Sequence, residues 1–178
     1  SKLDFLIVQD IFMSNTAQYA DVILPAACFA EKDGTFTNIE RRVQRVRKTV
    51  EPPGKAKADW NIISELSTCM GHPMNYSSPE AIWEEIRKIS PNFAGINYQR
   101  LNNGGIQWPC PKADHPGTKF LYEKKFPNGK AMFSSTESKP SSEKPDKSYP
   151  FILSTGRTLY HFNSGTMTHR AKGRIQKQ

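Results

Sequence analysis

Three groups of polar residues in this chain have the types needed to hold an anionic, hydrogen-bonding ligand. Gln9 and Asp10 follow the apolar run Leu3-Asp4-Phe5-Leu6-Ile7-Val8, and Val22-Ile23-Leu24-Pro25 forms a second such run. The pattern predicts a strand, a polar tip, a compact helix over residues 14–20, and another strand. Ligands of open α/β sheets sit outside the carboxyl ends of the strands, where Gln9 and Asp10 fall. A polar strand end that caps the next turn accounts for the same two residues. The second group is Asp59 beside Trp60, placed where a helix N-cap worth about 1 kcal/mol is wanted. The third is Ser154-Thr155-Gly156-Arg157 with His161, Asn163, Ser164-Gly165-Thr166 and Thr168. Glycine lets backbone approach a ligand, hydroxyls and amides donate, and arginine presents a fork of donors to phosphate oxygens. That set suits a pyrophosphate; an ordinary turn after a strand also accounts for Thr-Gly-Arg.

Other chemistry finds less support. Cys28, Cys69 and Cys110 are too widely spaced for the paired ligands of a metal or iron–sulfur site, and free cysteine packs as a small hydrophobe. Cys69 and His72 resemble a nucleophile and base, yet nothing in the sequence orients the histidine. No catalytic and no metal-binding residue is therefore assigned, and His72, His115 and His169 are read as structural or surface residues. The net charge of +8 raises a different function, a stand-alone basic module that neutralises nucleic-acid phosphates. Arg41, Arg42, Arg45, Arg47 and Lys48 form one basic cluster, and Arg170, Lys172, Arg174 and Lys177 another. A solvated face is the plainer account, because no nucleic-acid motif is present and the aromatics do not alternate with the basic residues.

The elements that must position these groups are punctuated clearly. Residues 35–38 and 42–47 read as a hairpin after Glu31-Lys32-Asp33-Gly34. Pro52-Pro53-Gly54 breaks the chain before a helix over residues 59–70, with Trp60, Ile63, Leu66 and Met70 as its apolar stripe. Ser78-Pro79 starts a second helix, with Ile82, Ile86 and Ile89 as its buried face and Pro91 as its stop. Residues 108–148 form a connector whose stretch 137–147 is too polar to bury a core. Residues 149–153 predict a new strand and hence a new domain. Composition allows one ordinary core, and no apolar run approaches the ~20 residues of a membrane span.

The stretches QDIFMSNTAQYADVILPAACFAEKDGTFTNIERRVQR, KADWNIISELSTCMGHPMNY, IQWPCP and STGRTLYHFNSGTMTHR resemble the molybdopterin oxidoreductase family, weakest over residues 137–147. Within it they are most similar to the catalytic subunit of molybdenum- or tungsten-dependent formate dehydrogenase. The resemblance implies a piece of a subunit several times longer, cut at both ends. It implies an α/β fold: a Rossmann-like parallel-sheet portion over 1–108, a linker over 109–148, and over 149–178 the start of a β-rich C-terminal domain of double-psi barrel type. The implied cofactor is bis-molybdopterin guanine dinucleotide with molybdenum or tungsten. Asp59 would take the N1 and N2 edge of guanine, and Gln9 and Asp10 the ribose and guanine side. Gly156, Arg157, Thr158, His161, Asn163, Gly165 and Thr166 would contact the dinucleotide from the second domain.

The resemblance implies oxidation of formate to carbon dioxide, with two electrons passed to a 4Fe-4S cluster in an upstream domain. The metal-ligating Cys or selenocysteine would also lie upstream, leaving this segment inactive alone. Electron-transfer partners would be an iron–sulfur, nicotinamide-reducing or hydrogenase module. A cytoplasmic location is expected, and no nucleic-acid partner. A nitrate reductase type of enzyme and a metal-free respiratory relative stand as alternatives within the family.

Overall fold

Two short apolar runs pair in parallel at the start of the chain. β1 (Ile7–Asp10) lies beside β2 (Val22–Pro25), with Ile7 opposite Val22 and Asp10 opposite Pro25. The computed structural model describes residues 3–157, 159, 161 and 163–170. The strand starts later than the apolar run predicts, so Gln9 and Asp10 are its last two residues rather than a tip beyond it. Asp21 explains the late start: its carboxylate accepts the Leu6 amide at 2.7 Å and its own amide donates to the Leu6 carbonyl. The helix expected over 14–20 closes only as one 3-10 turn, Ala17–Tyr19. Beyond β2, Lys57 continues the parallel pairing, donating to the Pro25 carbonyl at 3.1 Å while Ala27 donates to the Lys57 carbonyl at 2.8 Å.

The hairpin forms as predicted, β3 (Gly34–Thr37) against β4 (Arg42–Val46), and β5 (Ile106–Gln107) adds a third antiparallel strand on β4. Asn38 sets the turn, its side-chain oxygen accepting the amides of Glu40 and Arg42, while Arg41 takes a φ of 66°. α1 (Asp59–Cys69) begins at Asp59 itself, so Ala58 and not Asp59 is the N-cap. α2 (Pro79–Ile89) starts as expected, with the Ser78 hydroxyl accepting the Ala81 amide at 3.2 Å and Pro79 in the first turn. α3 (Tyr98–Leu101) is one short turn capped by Asn97.

The main core gathers Val43, Trp83, Ile96, Tyr98, Leu101, Ile106 and Cys110, with Phe93 and Trp108 against it. The buried face of α2 is therefore centred on Trp83, and Ile89, expected inside, is 74% exposed. On α1 it is Ile62 that is buried, whereas Ile63 and Leu66, with Met70 just past the helix end, are exposed. Each helix thus buries one side chain, Ile62 or Trp83, that its expected stripe did not include.

The chain divides into two compact units, Ser1–Gly129 and Lys130–Gln178. All the strands above belong to the first. The strand expected over residues 149–153 is not formed: Asp146 accepts the amides of Ser148 and Tyr149, and Phe151 and Leu153 stay exposed. A strand needs a neighbour to take its backbone groups, and among the described residues of this unit none is present. One 3-10 turn, Thr168–Arg170, closes the described part.

Candidate functional site

Lys57, paired in parallel just beyond β2, leads directly into α1, which sets the start of that helix at the carboxyl end of the sheet. Two of the residues singled out from sequence meet there. The Gln9 amide nitrogen donates to Asp59 Oδ1 at 2.6 Å, across a sequence separation of 50. Lys32 approaches from the turn before β3, its ammonium bonded to Asp59 Oδ2. Asp59 is the first residue of its helix, with Ala58 in the capping position, and an acid in the first turn suits the helix dipole.

Partial burial works to raise the Asp59 carboxyl. The Lys32 hydrogen bond and charge, with the Gln9 amide, outweigh it and hold the group below the usual carboxylate range. The carboxylate is 41% exposed and lies in the wall of a cleft of about 260 Å³. Phe36, Trp60, Trp83 and Tyr98 supply much of the apolar lining, with Lys32 and Asp59 as charged members. A second cleft of about 280 Å³ shares Lys32 and Trp60 and adds Lys48, Lys57 and Asn61.

Lys32 is the residue that sequence reasoning missed, since a lysine in Glu-Lys-Asp-Gly reads as part of a polar turn. Its only sequence signal was its place between an apolar segment and a hairpin, at the side of the sheet where the ligand was expected. Asp10 does what a polar strand end does, accepting the Phe12 amide at 3.0 Å.

The third group lies in the second unit. Gly165 is buried at φ 72°, and a Cβ there would stand 2.4 Å from the His169 ring. That ring stacks on His161 at 4.2 Å between centroids, and His161 Nδ1 lies 2.9 Å from the Thr168 hydroxyl. Asn163 adopts a φ of 49°, and Gly156, Arg157 and Thr166 are exposed. Thr158 lies outside the described residues.

The remaining readings can be placed as well. Among the described residues no group of three or more His, Cys, Asp or Glu is arranged to hold a metal ion. Cys28 is half-buried, Cys69 exposed and Cys110 buried, and all three are free thiols. Most of the first basic cluster is committed internally. Arg41 bonds the carbonyls of Trp108, Thr118 and Lys119; Arg42 pairs with Glu40, Arg47 with Asn102, and Lys48 with Glu51. Arg45 lies 3.8 Å over the Tyr98 ring. In the second cluster Arg170 donates to the Thr166 carbonyl, and the other three members lie outside the described residues. No helix among the described residues is long and apolar enough to cross a membrane.

The sequence that folds into this mixed α/β chain has counterparts among known proteins. The chain belongs to the molybdopterin oxidoreductase family, whose model matches residues 1–69. It is 52% identical over 98% of its length to the F420-dependent formate dehydrogenase subunit alpha of Methanocaldococcus jannaschii, covering 27% of that protein. Formate dehydrogenase H of Escherichia coli is 44% identical over 93% of the chain, which covers 24% of it. The assimilatory nitrate reductase catalytic subunit of Bacillus subtilis is 43% identical over 96% of the chain, which covers 26% of it. The chain thus spans about a quarter of the length of these relatives.

Proposed function

We propose that this chain is the dinucleotide-holding portion of the catalytic subunit of a molybdenum- or tungsten-dependent formate dehydrogenase. The observation that carries the proposal is the junction of Gln9, Lys32 and Asp59 at the carboxyl end of β1. A carboxylate offers about four lone-pair positions. Lys32, Gln9 and the Asp59 backbone amide all bond this carboxylate, and guanine would take the positions that they leave. Two parallel N–H groups are what the N1 and N2 edge of guanine presents, so the donor set fits the guanine end of a bis-molybdopterin guanine dinucleotide. Ionisation enforced by Lys32 keeps both oxygens as acceptors.

Asp59 and Lys32 would hold the base, and Gln9 and Asp10 would face its ribose side. In the second unit Gly156, Arg157, Thr158, His161, Asn163, Gly165 and Thr166 would contact the dinucleotide, within a β-rich domain of double-psi barrel type. When bound, the group supplies the metal centre at which formate loses two electrons and a proton. This chain's residues grip its remote ends, which orients the reactive part without touching it. The catalytic residues, the metal ligand and the 4Fe-4S cluster are assigned to the rest of the longer protein. The dependence on F420 stated for the M. jannaschii relative favours an F420-linked partner over a nicotinamide-reducing or hydrogenase module.

Formate is favoured over nitrate by 52% against 43% identity across nearly the same residues. The test is Asp59→Ala in the full-length subunit, with guanine nucleotide counted after acid release. Loss of a paired charge-assisted contact should lower retention about tenfold. Full guanine content in the variant would overturn the assignment, and nitrate reduction without formate oxidation by the intact enzyme would favour the second reading.

A further inference from the structure

We propose that Glu31 is a positioning residue of the nucleotide site, acting through the turn that aims Lys32 at Asp59. The inference deepens the nucleotide-site reading and rests on it. Lys32 directly follows a 3-10 turn, Phe29–Glu31, which is too short to fix its own direction. Glu31 supplies what the turn lacks. Its Oε2 accepts the Cys28 amide at 2.8 Å, while the Glu31 amide donates back to the Cys28 carbonyl at 3.1 Å and faces the Cys28 side chain, completing a capping box. The middle of the turn is hooked to the far end of the hairpin, where the amides of Thr49 and Val50 and the Thr49 hydroxyl all bond the Ala30 carbonyl.

Downstream, β3 begins at Gly34 and clamps the other side of Lys32. The lysine is thus held from both directions, and Glu31 is the side chain that closes the upstream one. The charged group facing Asp59 is Lys32, and Gln9 faces it as a neutral donor. If the turn opens, Lys32 leaves Asp59 and the carboxylate loses the cation that keeps it ionised as the solution is acidified.

Guanine held by an ionised carboxylate is released as pH falls through the range where that carboxylate takes a proton. The experiment uses the full-length holoenzyme and measures guanine nucleotide released as a function of pH, expressed per nucleotide initially bound. Thermal midpoints are recorded in parallel. In Glu31→Ala, release should begin at higher pH than in the wild type, with retention at neutral pH about fivefold weaker, the size of a lost cap. Glu31→Gln keeps the acceptor without the charge, and Cys28→Ser keeps the cap; both should follow the wild-type curve.

A wild-type curve for Glu31→Ala, with a shifted one for Lys32→Ala, would overturn the role of Glu31 and leave the nucleotide site standing. A shift in Glu31→Gln as large as in Glu31→Ala would also overturn it, because charge and not the turn would then be responsible. Wild-type retention in both Asp59→Asn and Lys32→Ala would remove the nucleotide site itself. Should Glu31→Ala not fold, Glu31→Asp, which shortens the arm, answers the same question.

Discussion

At the scale of single residues, Asp59 links the site to pH. Its carboxyl is lower in the folded chain than the ordinary value, because the contacts from Lys32 and Gln9 outweigh burial. A group of that kind adds stability above its unfolded pKa, and the contribution disappears as pH falls through the folded one. Asp59→Asn should therefore lower the thermal midpoint near neutral pH, and the gap to wild type should close as pH falls from neutral to below the ordinary carboxylate value of about 3.9. With the side chain 41% exposed, the effect stays below about 1 kcal/mol. A gap unchanged across that range would detach Asp59 from the acid limb. Gly95 carries a larger penalty, since a Cβ there would stand 2.0 Å from the Lys112 carbonyl oxygen and 2.8 Å from that of Cys110. Both are backbone atoms that cannot swing away. Gly95→Ala should cost about 3 kcal/mol or more, read as lost soluble yield or a lowered midpoint.

At the scale of elements, local chemistry was legible and partnership was not. The hairpin, α1 and the start of α2 follow from turn residues, proline breaks and the Ser78 cap, all within a few positions of the element they set. Asp59 was singled out by its place beside Trp60, but its bond to Gln9 spans 50 positions, and no local pattern encodes that. Lys32 went unnoticed for the same reason. The strand expected at residues 149–153 failed because apolar β-branched and aromatic residues state a preference for pairing but do not supply the partner. Arg41 is a further case: read as one of a basic cluster, it is a clip that ties the β5 connector to the hairpin through three carbonyls. Lysine cannot reproduce that fork. Arg41→Lys should speed amide exchange at Trp108 and Thr118, whose amides bond the Arg41 and Gln107 carbonyls, while α1 is unchanged. Equal exchange in both regions would mean that the clip is dispensable.

At the scale of the whole molecule, the balance of apolar surface is unusual for a chain with one core. Leu3, Phe5 and Ile7 around β1, Val22 and Ile23 on β2, Ile63 and Leu66 on α1, and Met70 just past its end are all exposed. Parallel strands are ordinarily covered on both faces by helices, and a two-stranded pair is marginal in water. Composition forecast enough apolar residues for a core but not how many of them this segment would leave uncovered. The chain spans 27% of its M. jannaschii relative, so most of a protein of that size lies outside it. An apolar dye should therefore bind the separately expressed 178-residue chain strongly in its native baseline, and the full-length subunit weakly per unit mass. Charged substitutions at Ile63 and Leu66 should lower dye binding by the separate chain and destabilise the full-length subunit by about 2 kcal/mol or more, as expected for charges forced into an apolar contact. If those substitutions left the long form as stable as wild type, the outer face of α1 would be a surface in both, and the exposed stripe would belong to the fold rather than to a missing neighbour.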